Sequence, residues 1–340
     1  MKRFSWTSFQ RAYADASNTS IVATSPAEPS VSSGTVLDTC KSIVVRNSQC
    51  LTLQKYPHPS SRKNTAINIE EIARWESLLG SEMADGDRNA VWYDGEGRKV
   101  VHYFPHFLDG TVRESLKQAF RDLLKEYTPS KPSPSEKRST RYEEWKAHLD
   151  ENTLSGVIRL TFHHQQQHSH DEAAGASADF LGRSVKKTTA AIRFRKAQVV
   201  QNIATWVSIL FAAIDPPTWR HYREAYQLAV SHDPVLQNCD HGPAHCFVGH
   251  YLVINMLTTP HYDTTDPPTG WVAMAIVGDY TDGQLVIPEL GIVLPYRTGD
   301  IVFIRSWMLV HFIREYSGSE RFVIVFSTTY SIFEWVRKTF

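Results

Sequence analysis

Cysteine is scarce in this chain: Cys40, Cys50, Cys239 and Cys246 are the only four in 340 residues, and none has C-x-x-C spacing. Thiols this sparse predict a reducing compartment and no disulfide framework. Long hydrophobic runs are lacking as well. No window approaches about 18 apolar residues, so no membrane-spanning helix is expected. The opening MKRFSWTSFQRAYADASNTS carries Lys2, Arg3 and Arg11 with no apolar segment behind them, so secretion is not expected, and Asp15 speaks against a transit peptide. An intracellular protein, nuclear or cytoplasmic, is the expectation. Charge of one sign is also missing. Lys plus Arg and Asp plus Glu both number 36, so bulk charge exerts no pull on a polyanion, and nucleic acid would have to meet a local basic face. No obligate protein partner is evident.

What is present fits a globular chain. At 42% hydrophobic and 21% charged residues it can bury a sizeable core, and its length suits two average domains or one large enzyme. Residues 1–65 are expected to be largely disordered, since 14–65 are rich in Ser, Thr, Pro and Asn with little periodicity; within them VLDTCKSIVV is apolar enough to dock as a strand. Residues 66–340 read as one domain. INIEEIARWESLL has helical spacing, AVWYDGEGRKVVHYF reads as a hairpin turning at Asp94 to Gly97, and TVRESLKQAFRDLLKEY is an amphipathic helix. TPSKPSPSEKRSTR is a linker, and HHQQQHSHDEAAGASA is low-complexity and reads as a mobile surface loop.

The segment SVKKTTAAIRFRKAQ carries Lys186, Lys187, Arg193, Arg195 and Lys196 with no acid between them. It is either a solvated face or an edge that grips phosphate. Two helices follow, NIATWVSILFAAI and TWRHYREAYQLAV, broken at Asp215, Pro216 and Pro217. From Cys246 the texture turns to short β-rich runs at close spacing, the pattern of a sandwich or barrel rather than of βαβ units.

Within that region stands PHYDTTDPPTGW. On a strand, His261 and Asp263 share a face and offer an imidazole beside a carboxylate. One H-x-D among 15 histidines is weak by itself. His311 lies fifty positions on, at the far end of the apolar run after Gly299 and Asp300. Two histidines and one carboxylate leave sites open on an octahedral metal, as in non-haem Fe(II) oxygenases. Ten residues further, Arg321 opens RFVIVFS, where a buried guanidinium demands an anion such as a cosubstrate carboxylate.

His261, Asp263, His311 and Arg321, with GQLVIPELG and the turn at Gly299 and Asp300, resemble the Fe(II)/2-oxoglutarate-dependent dioxygenases over about 245–333. The wording PHYDTTDPPTGWVAMAIVGDY and LVIPELGIVLPYRTGDIVFIRSW looks like the fungal TET/JBP branch, which oxidises modified nucleobases. The resemblance implies an α+β fold: a double-stranded β-helix (jelly-roll) core at 245–333, flanked by helices on one side and supported by 66–244. It implies Fe(II) on His261, Asp263 and His311, with 2-oxoglutarate and O2 as cosubstrates and the distal carboxylate of the former on Arg321. Decarboxylation would then yield a ferryl species that takes hydrogen from the substrate. Asn255 lies an even number of positions from His261 and Asp263, so a straight strand puts all three on one face, where its amide would orient a ligand or join the cosubstrate pocket. Asp266 either shapes the Asp-Pro-Pro loop or accepts from an exocyclic amino group, favouring 5-methylcytosine, or N6-methyladenine, over thymine.

Reaching a base in duplex DNA requires flipping it, with aromatic packing and phosphate contacts. Tyr262, Trp271 and Trp307 are candidates for the first, with Arg305 and Ser306 beside the pocket, although Arg305 equally suits a structural ion pair. Lys186, Lys187, Arg193 and Arg195 are candidates for the second. A small-molecule hydroxylase of the same architecture would share every metal and cosubstrate residue, and a non-catalytic jelly-roll binding module is the third reading.

Overall fold

The computed structural model describes residues 44–46, 84, 86–131, 142–163, 175–181, 184–239 and 245–339. Most of 1–65, the helix expected at 67–79, most of the Pro/Ser-rich linker and the centre of the His-rich stretch lie outside these residues.

In chain order, β1 (Val44–Arg46) lies within the apolar stretch of the N-terminal region and pairs in parallel with β2 (Ala90–Tyr93). β2 and β3 (Lys99–Phe104) form the expected hairpin, in which the Asp94 carboxylate accepts from the backbone N–H groups of Glu96 and Arg98 at 2.9 Å each and so fixes the turn. Helix α1 (Gly110–Leu124) is capped by Asp109, which accepts from the Val112 N–H at 2.9 Å. Then come α2 (Tyr142–His148), β4 (Gly156–Leu160), the short pair β5 (Phe162–His163) and β6 (Gly175–Ala176), and α3 (Ala178–Leu181).

The basic segment folds as helix α4 (Val185–Lys196), followed by α5 (Gln198–Ile214) and α6 (Pro216–His232). Asp215 ends one helix and caps the next, accepting from the Thr218 N–H while Pro216 and Pro217 occupy the first turn, where their missing N–H groups have no helical partner to lose. Helix α7 (Pro234–Cys239) precedes the strand region.

That region supplies β7 (Gly249–Ile254), β8 (Val272–Asp282), β9 (Leu285–Ile287), β10 (Ile292–Leu294), β11 (Ile301–Ile304), β12 (Phe312–Ile313) and β13 (Tyr316–Ser327), closed by α8 (Tyr330–Thr339). The major sheet runs β1-β2-β3-β11-β8-β13-β7-β4, and the minor one β10-β9-β12. A single antiparallel bridge between His261 and His311 adds a further segment to the minor sheet beside β12. This is an α+β protein with a jelly-roll core, its major sheet widened by four strands from outside 245–333.

Strand alternation divides the major sheet's two faces. Ile158, Leu252, Ala273, Ala275, Phe303, Phe322, Ile324 and Phe326 pack against the helices with Phe120, Phe194, Phe211 and Trp219. The opposite face turns Val302, Ile304, Met274, Ile276 and Val323 towards Leu285, Ile287, Ile292 and Leu294 of the minor sheet. The one-sided arrangement of helices has an exception in α2, whose Trp145 packs on Tyr316 with ring centroids 4.6 Å apart, on the minor-sheet side.

Candidate metal centre

His261 and Asp263 do not lie on a regular strand. His261 makes the isolated bridge, exchanging both backbone hydrogen bonds with His311 (3.2 and 3.1 Å), and the chain then enters a turn. Asp263 is held by its own N–H, which donates to the Ser306 carbonyl at 3.1 Å. The bridge brings the two imidazole centroids to 4.3 Å. Each ring places Nδ1 against a carbonyl two residues back, that of Thr259 at 2.7 Å and that of Leu309 at 3.1 Å. Each Nδ1 is thereby the protonated nitrogen, and each Nε2 presents its lone pair. Both Nε2 atoms face Asp263, at 3.7 Å from Oδ1 and 3.6 Å from Oδ2. Among the described residues this is the one group of potential metal ligands that converges, with all three ligand atoms within 4.8 Å of one another. Two imidazoles and a carboxylate, partly buried and aimed at one point, suit a divalent first-row cation.

The three open onto a cavity of ≈ 110 Å³ along the inner face of the major sheet. Arg321, 2% exposed, lines the same cavity. Its guanidinium lies over the rings of Tyr280, Tyr296 and Tyr316 at 5.2 to 5.5 Å, yet Nε and Nη2 have no hydrogen-bond partner, and neither do the hydroxyls of Tyr296 and Tyr316. Space for this group depends on Gly283, at φ 71°, where a Cβ would come within 3.0 Å of the Tyr316 Cβ. A buried cation with unpaired donors and tyrosine hydroxyls around it is a receptor for a carboxylate.

Elsewhere along the wall lie Asp266, Thr265, Tyr251, Arg159 and Ser327. Asp266 is buried and accepts from the Ser306 hydroxyl at 2.5 Å. Glu289, from the one-turn 3-10 segment Pro288–Leu290, is buried beside the histidine segments, and desolvation pushes its carboxyl up to about 7.

Several expected site residues sit elsewhere. Asn255 adopts φ 46° just past β7, so it leaves the strand register on which its shared face with His261 depended. Its amide oxygen accepts from the Arg321 N–H at 2.7 Å and its amide nitrogen donates to the Leu154 carbonyl, so it seats the backbone of Arg321 instead of lining the cavity. Trp271 is not at the mouth: it is buried beneath Arg305, with its indole N–H donating to Asp215. Arg305 itself donates to Asp215 at 3.0 Å and to the carbonyls of Lys99 and Thr269, the structural alternative expected for it. Tyr262 donates to Glu289 at 3.0 Å, and neither it nor Trp307 lines the cavity.

Arg195 is fully buried, donating to the carbonyls of Leu160 and Val248 and stacking on Phe180, and so is lost to phosphate binding. On the same helix the exposed Arg193 pairs with Glu126 at 3.3 Å and the half-buried Lys187 lies over Tyr127.

Sequence reasoning missed Tyr280, Tyr296, Tyr316, Glu289, Tyr251 and Arg159. A signal existed for Glu289, an acid inside the apolar run LVIPELGIVL.

No protein-family model and no curated protein matches the sequence. Among solved structures, the chain is similar to NgTET1 in complex with 5mC DNA, at 11% identity and TM-score 0.47, with 76% of this chain and 88% of that one covered. It is also similar to an oxidoreductase of the 2OG-Fe(II) oxygenase family from Burkholderia pseudomallei, at 13% identity and TM-score 0.30, covering 65% and 91%. Overlaps of this depth transfer no function from either protein.

Proposed function

We propose that this protein is an Fe(II)- and 2-oxoglutarate-dependent dioxygenase that oxidises a methylated nucleobase in DNA, 5-methylcytosine first and N6-methyladenine second. The observation that carries the reading is Arg321: a buried guanidinium with unpaired N–H groups, in the same cavity as two histidines and an aspartate whose ligand atoms converge.

His261, Asp263 and His311 would hold the iron. When bound, it supplies the chemistry that couples O2 and the decarboxylation of 2-oxoglutarate to succinate and CO2 with the conversion of a substrate C–H to C–OH. The chain's own residues do the rest. Arg321 pairs with the distal carboxylate, and the Tyr296 hydroxyl donates a further hydrogen bond to it. The valines and Met274 of the sheet face keep water from the reacting centre. Asp266, fixed by Ser306, accepts from an exocyclic amino group, which cytosine and adenine have and thymine lacks. Lys186, Lys187 and Arg193 are the remaining candidates for phosphate contact.

A second reading, a small-molecule hydroxylase, is favoured by the loss of Arg195 and Trp271 from the nucleic-acid surface. Iron-loaded protein incubated with 2-oxoglutarate and methylated oligonucleotides, followed by mass spectrometry of the nucleosides, separates the two. Oxidised base supports the DNA reading. Succinate without oxidised base supports the second, and no succinate leaves a binding module. Asp263→Ala is expected to abolish turnover.

A further inference from the structure

The two histidine segments are joined by more than their backbone bridge. Glu289, 1% exposed, accepts from the Val310 N–H with both oxygens, at 3.0 and 3.1 Å, and from the Tyr262 hydroxyl at 3.0 Å. Val310 immediately precedes His311, and Tyr262 immediately follows His261. One carboxylate therefore grips both ligand-bearing segments from the turn between β9 and β10. The neighbours of that turn, Leu285, Ile287, Leu290 and Ile292, are apolar and buried. Placing a carboxylate there is costly unless it is hydrogen-bonded, and a residue with only space to fill would be apolar.

We propose that Glu289 is a positioning residue for the metal centre: through Tyr262 and Val310 it fixes the spacing and orientation of His261 and His311. This rests on the metal reading above. The bridge's backbone hydrogen bonds set which residues face each other but leave the segments free to slide and tilt by fractions of an ångström. A shared acceptor removes that freedom, as partners behind a ligand do when they orient it.

The probe is Co(II) alone, added to metal-free full-length protein, with the visible d–d absorption reporting both affinity and geometry. The variants are Glu289→Leu, Glu289→Gln, Tyr262→Phe and Asp263→Ala, each with the melting temperature of the metal-free form. Glu289→Leu is expected to raise the Co(II) Kd by about 10- to 100-fold and to change the absorption envelope. Its metal-free melting temperature falls by a few degrees because the Val310 N–H and the Tyr262 hydroxyl lose this acceptor, so Kd is measured well below that melting temperature. Glu289→Gln, which keeps one acceptor, restores part of the affinity, and Tyr262→Phe loses several-fold. Wild-type Kd and spectrum in Glu289→Leu would overturn the positioning role and leave the triad standing. If that variant does not fold, an unchanged Kd in Glu289→Gln combined with Tyr262→Phe overturns it equally. If the wild-type protein binds Co(II) no better than Asp263→Ala does, the metal centre itself falls and this role with it.

Discussion

Replacing Arg321 with methionine should make the metal-free protein more stable and deprive it of its response to 2-oxoglutarate. The guanidinium is 2% exposed, and two of its nitrogens have no hydrogen-bond partner. Unsatisfied buried donors cost about 1–3 kcal/mol each, more when charged, and desolvating the cation adds several kcal/mol. Against this stand three tyrosine rings at 5.2 to 5.5 Å, worth about 0.5–2 kcal/mol apiece. The balance is unfavourable without an anion, so an apolar side chain of similar length is expected to gain about 1–3 kcal/mol. At roughly 2 °C per kcal/mol for a domain of this size, the melting temperature rises by about 2–6 °C. With cosubstrate the order reverses. Metal-loaded wild-type protein under anaerobic conditions gains about 2.7 kcal/mol at one hundred times Kd, and the methionine variant gains nothing at that concentration. Thermal melts of both proteins, metal-free and then metal-loaded with and without 2-oxoglutarate, read this out. A fall of several degrees in the metal-free variant would show that the guanidinium is stabilised within the fold. Equal stabilisation of both proteins by 2-oxoglutarate would remove Arg321 from carboxylate binding.

Tyr296→Phe removes a hydroxyl that has no partner in the fold; it should leave stability unchanged and raise the 2-oxoglutarate requirement about 5-fold, the worth of one hydrogen bond of about 1 kcal/mol, as measured by succinate formation. His102 and His245 are buried, and desolvation lowers each to about 3, so both stay neutral in the fold while the unfolded chain takes up protons near pH 6.5. Their contribution is complete above pH 6.5 and is lost as pH falls from there towards 3, at a cost of about 2 kcal/mol per histidine by pH 5. Denaturant titrations of His102→Leu should therefore lose about 2 kcal/mol less than wild type between pH 7.5 and 5, and parallel pH profiles would show that His102 is protonated in the fold. Reversing Lys186, Lys187 and Arg193 should flatten the salt dependence of DNA binding by up to about three contacts' worth of slope, and an unchanged slope places DNA on another face.

The core was legible where periodicity and turn chemistry agree. The hairpin at Asp94, the helix after Asp109 and the break at Asp215 all follow from residues acting on their own neighbours in sequence. The three candidate metal ligands were legible for a different reason: few residue types do that chemistry, and His261, Asp263 and His311 do converge. What failed was every inference that carried local geometry past the end of a strand. Asn255 turns at φ 46° and leaves the face assigned to it, and the His261 segment is a single bridge followed by a turn. Arg195 reads as one of five cations on a solvated face, and only the packing of α4 against β4 and the loop at Val248 shows that it points inward. Trp271 was misplaced because, immediately before β8, it shares the parity of Ala273 and Ala275 and packs with them on the helix side.

That last case shows why the site lies where it does. On β13 the residues at even positions, Phe322, Ile324 and Phe326, are held by aromatic and aliphatic side chains of the helices, a close-packed face with no tolerance for water or a ligand. The odd positions, Arg321, Val323, Val325 and Ser327, turn towards the minor sheet, which runs beside them for only three short strands. A sheet face too wide for the layer covering it leaves a cleft, and side chains pointing into a cleft are relieved of the packing that would otherwise forbid a charge. Arg321 stands at the edge of that cleft, next to a register shift between Gly318 and Glu320 where β13 bends against β8. A chain whose minor sheet covered the whole inner face would have no room for a carboxylate beside Arg321, and the guanidinium there would only destabilise the fold.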